Sequence, residues 1–185
     1  MPEVEASDFL NEIMKLFPES GVEIFHGDVI YLLKESDETV RHFKRESIVE
    51  KPVTFDEIPY PWYKIILAWN PGELKSIEEY MIENNIFSRY KNLRYTYSEP
   101  QFIEILNKNC SKGNALNELV KMLGIDPENV IAIGDNLNDI ELLNEAGIGV
   151  AVENAHPELI KNADYVSCKN DNHAVSKIIN ELLIS

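Results

Sequence analysis

The sequence predicts an α/β protein in two parts, an α+β layer over residues 1–108 and a β/α layer with parallel strands over residues 109–185. Three observations carry this reading. Of the 185 residues, 44% are hydrophobic, enough to bury a sizeable core. After Cys110, short apolar runs alternate with helical patterns, as parallel strands joined by crossover helices require. Before it, strands and helices mix without strict alternation, and Pro52, Pro59 and Pro61 mark a connection.

Taken in order, Ser7 is placed to cap a first helix in which Phe9, Leu10, Ile13, Met14 and Phe17 recur at helical spacing, ended by Pro18 and Gly21. Residues 22–25 and 29–33 are β-rich runs joined through His26, Gly27 and Asp28, a hairpin signature. The polar stretch 34–50 holds DETVRHFKRES, which reads equally as a short amphipathic helix or as loop. Residues 64–69 read as a buried strand. Asn70, Pro71 and Glu73 then supply a cap, a first-turn proline and an acid at the third position, opening a helix to about Asn85. Strands over 93–97 and 102–106 complete this part. Beyond it come a helix (111–123), a strand (130–133), a helix (139–145), a strand (148–152), a helix (156–161), a strand at Tyr165 and Val166, and a helix (173–183). Sites in such a layer sit at the carboxyl ends of the strands.

Seventeen basic residues against thirty-two acidic ones leave a net charge of −15, so the chain repels nucleic-acid phosphates and anionic membranes. The amino terminus, MPEVEASDFL, has no basic stretch and no apolar core of the signal-peptide kind. No apolar run reaches the roughly 18 residues that span a bilayer. The expected location is the cytoplasm. Cys110 and Cys168, far apart and without CxxC spacing, read as reduced thiols.

The sharpest local signal is VIAIGDNLNDIELL, residues 130–143. An apolar strand delivers Gly134 and Asp135 at its carboxyl end, and Asn136, Asn138 and Asp139 crowd the start of the next helix. Two carboxylates four residues apart can converge on one hard cation that keeps part of its water, as Mg²⁺ prefers. The same residues are also common as helix caps and turn formers. Upstream, Ser111, Lys112 and Gly113 open a helix and place a cation at the mouth of the same layer, where it could meet phosphate oxygens. Downstream, GIGVAVENAHPELIKNADYVS sets a strand and an Asn154-Ala155 turn beside the same edge.

Together SKGNAL, GDNLND and GVAVENA…ADYV resemble, in order and spacing over residues 103–183, the carboxy-terminal half of Cof-type phosphatases in the haloacid-dehalogenase-like superfamily. The resemblance implies a Rossmann-like core half behind an α+β cap that closes over the active site and selects substrates. It also implies Mg²⁺-dependent hydrolysis of phosphomonoesters of the sugar-phosphate type through an aspartyl-phosphate. By position, Lys112 resembles the lysine that steadies the transferring phosphoryl group and Asp135 the direct Mg²⁺ ligand. Asp139 and Asn138 resemble supporting residues around metal-bound water or phosphoryl oxygens, and Asn154 resembles an asparagine near the phosphate pocket. A carboxylate can approach a phosphate dianion only where a metal and a lysine offset the repulsion.

The resemblance begins inside the cap. The family's nucleophile and general acid/base are two aspartates separated by one residue and followed by Gly-Thr, and no two aspartates here have that spacing. An aspartyl-phosphate mechanism needs a nucleophile in line with phosphorus. The expectations are therefore an amino-terminal core segment missing from this chain, no activity of the chain alone, and weak Mg²⁺ binding. In the family the missing first strand lies beside the strand ending in Gly-Asp, so residues 130–133 should form an open apolar edge. That edge predicts self-association, strand exchange or docking of a separately encoded amino-terminal half. The competing readings are one half of a split phosphatase and a non-catalytic interaction protein. His26, His42, His156 and His173 show no HxH or HExxH spacing and read as surface residues, and Trp62, Tyr63, Trp69, Tyr95 and Tyr97 read as packing. Arg41, Lys44 and Arg45 read as a solvated helix face.

Overall fold

The computed structural model describes residues 1–46 and 53–183. Part of the expected connection, Pro52 included, and the end of the polar stretch lie outside the described residues. The chain divides after Lys108 into two compact units. No helix among the described residues is long and apolar enough to cross a membrane.

The first unit runs α1 (Glu3–Leu16), β1 (Gly21–His26), β2 (Val29–Lys34), α2 (Asp37–Glu46), β3 (Lys64–Ala68), α3 (Pro71–Glu83), α4 (Ile86–Arg89), β4 (Leu93–Glu99) and β5 (Phe102–Asn107). Its five strands form one antiparallel sheet in the order β2-β1-β3-β5-β4. Alternation sets the two faces. Val22, Ile24, Ile65, Leu67, Ile103 and Ile105 pack on Phe9, Leu10 and Ile13 of α1 and on Leu74, Ile77 and Met81 of α3. Each such side chain contributes about 1.5–3 kcal/mol when fully buried. The opposite face carries Glu23, Phe25, Ile66 and Phe102, and α2 lies over it through His42.

Two expectations change here and one open reading is decided. Helix α1 begins at Glu3 rather than after Ser7, whose hydroxyl donates to the Glu3 carbonyl from inside the helix at 2.7 Å. DETVRHFKRE is helical because Phe43 is buried and His42 is held on the sheet. Helix α3 stops at Glu83, and left-handed Asn85 (φ 46°) starts the separate turn α4.

Helix α1 is tied to α3 and α4 by Glu12, which accepts hydrogen bonds from Tyr80 (2.5 Å), Tyr90 (2.8 Å) and both terminal nitrogens of Arg89 (3.0 and 2.6 Å).

The second unit runs α5 (Lys112–Leu123), β6 (Ile131–Gly134), α6 (Ile140–Glu145), β7 (Ile148–Ala151), α7 (Pro157–Asn162), β8 (Tyr165–Val166) and α8 (Ala174–Ile178), with a π-helical turn after α8 over Ile179–Leu183. The strands are parallel, in the order β6-β7-β8. The α/β class read from the sequence is therefore the observed one. Ser111 caps α5 by accepting from the Asn114 amide (3.1 Å), and left-handed Gly124 (φ 67°) ends it. Leu143, Val152, Ala155 and Leu159 are core residues of this unit. Among the described residues, β6 is paired on one side only.

The Arg89 guanidinium is the main cause that holds the Glu12 carboxyl at about 2, below its ordinary 4.5. The folded form thus favours the ionised acid, so this contribution is full above pH 4.5 and is lost as the pH falls toward 2. Replacing Glu12 with alanine should lower the stability of the first unit by about 1–2 kcal/mol, limited by solvent screening of Arg89. It should also flatten the acid limb of the denaturation profile. A variant that loses stability equally at pH 7 and pH 3 would refute the role given to the carboxylate.

Candidate functional site

The site is built at the carboxyl end of β6. Gly134 leaves the strand with no room for a side chain, since a Cβ there would lie 2.5 Å from the Asp139 Cβ. Asp135 follows, then Asn136 caps the tight turn Leu137–Asp139 that leads into α6, its Oδ1 accepting from the Leu137 amide at 2.8 Å. Asp139, only 3% exposed, folds back under this turn. Its Oδ2 accepts from the Asp135 amide (2.9 Å) and the Asn136 amide (3.3 Å), while Oδ1 receives the Lys112 ammonium.

Lys112 comes from the first turn of α5, where a cation opposes the helix dipole. The Asp139 carboxylate offsets that cost. Close helix contact makes the meeting possible: a Cβ on Gly113 would lie 2.7 Å from the Glu141 carbonyl oxygen, so α5 and α6 touch backbone to backbone. The Lys112 side chain remains half exposed, with donors left over for an anion.

The two aspartates, read from their spacing as a metal pair, have different surroundings. Asp135 is exposed, and its carboxylate has no hydrogen-bond or ion-pair partner among the described residues. Asp139 is buried and engaged by Lys112 and two backbone amides. The structure thus gives Asp139 a positioning task and leaves Asp135 as the free carboxylate. Half-buried Asn138 adds on the same turn an amide with no side-chain partner among the described residues. No group of three or more His, Cys, Asp or Glu side chains suited to a metal gathers among the described residues. One free carboxylate and one amide oxygen are hard donors, and they suit a cation that keeps most of its water.

Lys112, Gly134, Asp135 and Asp139 line a cleft of about 340 Å³, together with Asn170 and Val175. Asn154 is not among its lining residues. It pairs instead with Asn170, donating from Nδ2 to Oδ1 (3.1 Å) and accepting the Asn170 amide on its own Oδ1 (3.0 Å). Asn154 therefore braces Asn170, which the sequence reading missed. The only signal for it was the polar run Lys169-Asn170-Asp171-Asn172 ahead of α8.

A model of haloacid dehalogenase-like hydrolases matches residues 4–179. The chain belongs to this family. It is 35% identical over 144 residues to YxeH of Bacillus subtilis (strain 168), an alignment covering 78% of this chain and 49% of that protein. It is 26% identical over 173 residues to a phosphoglycolate phosphatase of Staphylothermus marinus, covering 89% of this chain and 71% of that one. The crystal structure of SMU.1108c from Streptococcus mutans UA159 superposes with a TM-score of 0.85 at 25% identity, covering all of this chain and 69% of the other. The chain thus spans about half the length of YxeH and about two thirds of the SMU.1108c structure.

In this haloacid dehalogenase-like chain the turn depends on Asp139 far more than on Asp135. Asp139→Ala should cost the second unit about 2–3 kcal/mol, because two part-buried amides and an ammonium lose their acceptor. Asp135→Asn should stay within about 0.5 kcal/mol. Urea denaturation of the two variants beside the wild type checks this, and equal losses would contradict the division of labour.

Proposed function

We propose that the chain forms the α+β cap and the carboxy-terminal core half of a Mg²⁺-dependent phosphomonoester phosphatase of the sugar-phosphate type. The observation that carries this is the Lys112–Asp139 pair set beside the free carboxylate of Asp135 at the carboxyl end of β6. In this reading Lys112 holds an oxygen of the transferring phosphoryl group, and buried Asp139 fixes the direction of the ammonium. Asp135 and Asn138 would hold the cation, which when bound supplies charge neutralisation to the phosphoryl oxygens. Asn170, braced by Asn154, borders the same cleft.

The 185 residues contain no two aspartates separated by a single residue. We assign the nucleophile and the general acid/base to a segment outside them, entering as a strand along the free side of β6. The apolar side chain of Val175, 56% exposed at the cleft, supports that placement. The segment belongs to the same polypeptide or to a separate chain. With a single free carboxylate on the turn, Mg²⁺ binding is weak and the chain alone is inactive. The second reading, an interaction protein without catalysis, rests on the same one-sided β6 and differs in needing no ligand at Lys112.

Two measurements separate these readings. In millimolar Mg²⁺, inorganic phosphate should bind the chain and lose about tenfold in affinity on Lys112→Ala. Equal binding by both forms would sink the phosphoryl reading and leave the interaction protein. Aryl-phosphate hydrolysis should not exceed that of Lys112→Ala or Asp135→Asn, and activity abolished by both substitutions would overturn the external nucleophile.

A further inference from the structure

The turn Asn170–Asn172 ahead of α8 holds an amide whose orientation two hydrogen bonds settle. The Asn170 backbone N–H can only donate, so the Asn154 atom that meets it at 3.0 Å is Oδ1. The other end of the Asn154 amide is therefore Nδ2, and the Asn170 side-chain atom it reaches at 3.1 Å is in turn Oδ1. Asn170 Nδ2 is left on the side away from Asn154, and it has no partner among the described residues.

Asn170 lines the cleft of about 340 Å³ and Asn154 does not, so the uncommitted end of the amide faces the cleft. Of the residues that line it, Lys112 and Asn170 alone carry side-chain donors, and the remaining polar side chains are the Asp135 and Asp139 carboxylates. The two donors arrive from different elements, Lys112 from the first turn of α5 and Asn170 from the turn after β8. Only Lys112 is charged. With Lys112 and the cation on the phosphoryl oxygens, a cleft of this volume has room for an organic group beside them. A neutral amide held in one orientation at the border of that room selects for an acceptor on the organic group.

We infer that Asn170 is a specificity-determining residue of this site, its Nδ2 donating to a hydroxyl oxygen on the alcohol part of a phosphomonoester, and that Asn154 is the positioning residue that keeps Nδ2 turned to the cleft. The inference rests on the phosphoryl reading of Lys112 and Asp135 and adds to it the class of alcohol, one that carries a second hydroxyl rather than a bare alkyl group. Because Asn154 orients the amide beforehand, little of the bond's strength is lost to ordering it.

The test is an amide NMR titration of the chain in millimolar Mg²⁺ with glycerol 3-phosphate, methyl phosphate and inorganic phosphate, read at Gly134. Glycerol phosphate should bind about fivefold tighter than methyl phosphate, the increment of one neutral hydrogen bond. Asn170 is exposed, so Asn170→Ala keeps the fold. It should abolish that preference and leave the affinity for inorganic phosphate unchanged, a split that a merely structural role would not produce. Asn154→Asp sets an anionic oxygen against the Asn170 side-chain carbonyl, which turns the amide over and withdraws Nδ2 from the cleft. The same preference should vanish, and because both esters carry the same charge the added anion acts on them alike. Lys112→Ala should weaken all three ligands together. No preference for glycerol phosphate in the wild type, a preference that survives either asparagine substitution, or inorganic phosphate weakened as much as glycerol phosphate by Asn170→Ala would each overturn the inference while leaving Lys112 its role. Phosphate binding untouched by Lys112→Ala would instead overturn the phosphoryl reading, and this inference with it.

Discussion

The carboxylate of Asp139 is the constraint on which the rest of the second unit's site depends. It is buried, so its charge needs partners, and it takes them from three directions: the amides of Asp135 and Asn136 and the ammonium of Lys112. The amides shape the turn that leaves Asp135 facing outward. The ammonium fixes a cation that would otherwise sit against a helix dipole of the same sign. Two glycines make the geometry possible, Gly134 by giving Asp139 the space beneath the strand end and Gly113 by letting α5 reach the backbone of α6. A side chain at either position would push apart groups that the site needs within hydrogen-bond reach.

The first unit solves a different problem with the same device. Its sheet is apolar on the face that α1 and α3 cover, but the helices themselves need a lock, and Glu12 provides it by collecting two phenols and a guanidinium. Glu78 acts similarly at the sheet margin, accepting from Tyr95 and Tyr97 at 3.0 Å each. Burial and this carboxylate together push the Tyr95 hydroxyl up to about 12 and that of Tyr97 further still. Acidic side chains thus act as joints between elements, which accounts for part of an acidic excess that composition alone assigns to solvent.

Local grammar made much of this legible. The strand, turn and helix around GDNLND lie within fourteen consecutive residues, so hydrophobic spacing and cap chemistry suffice to place Asp135 at a strand end. What escaped were contacts between residues far apart in sequence. Lys112 reads as a cation at the mouth of the layer, but nothing in the spacing announces that Asp139, 27 residues on, takes its charge. Glu23 sits in the alternation Val-Glu-Ile, where period-two reasoning points it to solvent. It is buried because α2 covers that face of the sheet, and α2 was the segment whose pattern fitted helix and loop equally. The resemblance sets Asn154 near the phosphate pocket, but no spacing announces that its amide holds Asn170, sixteen residues on, at the border of the cleft.

That reciprocal amide pair has a chemical lifetime. Asn154 gives one proton to the Asn170 carbonyl oxygen and takes one from the Asn170 backbone, so each loop is held by a group that hydrolyses slowly in water. Deamidation of Asn154 would exchange its donor for an anionic oxygen facing the Asn170 carbonyl, turning one of the two bonds into a repulsion. A stored preparation would then come to hold two populations, differing by one charge and by whether the loop bordering the cleft is still braced.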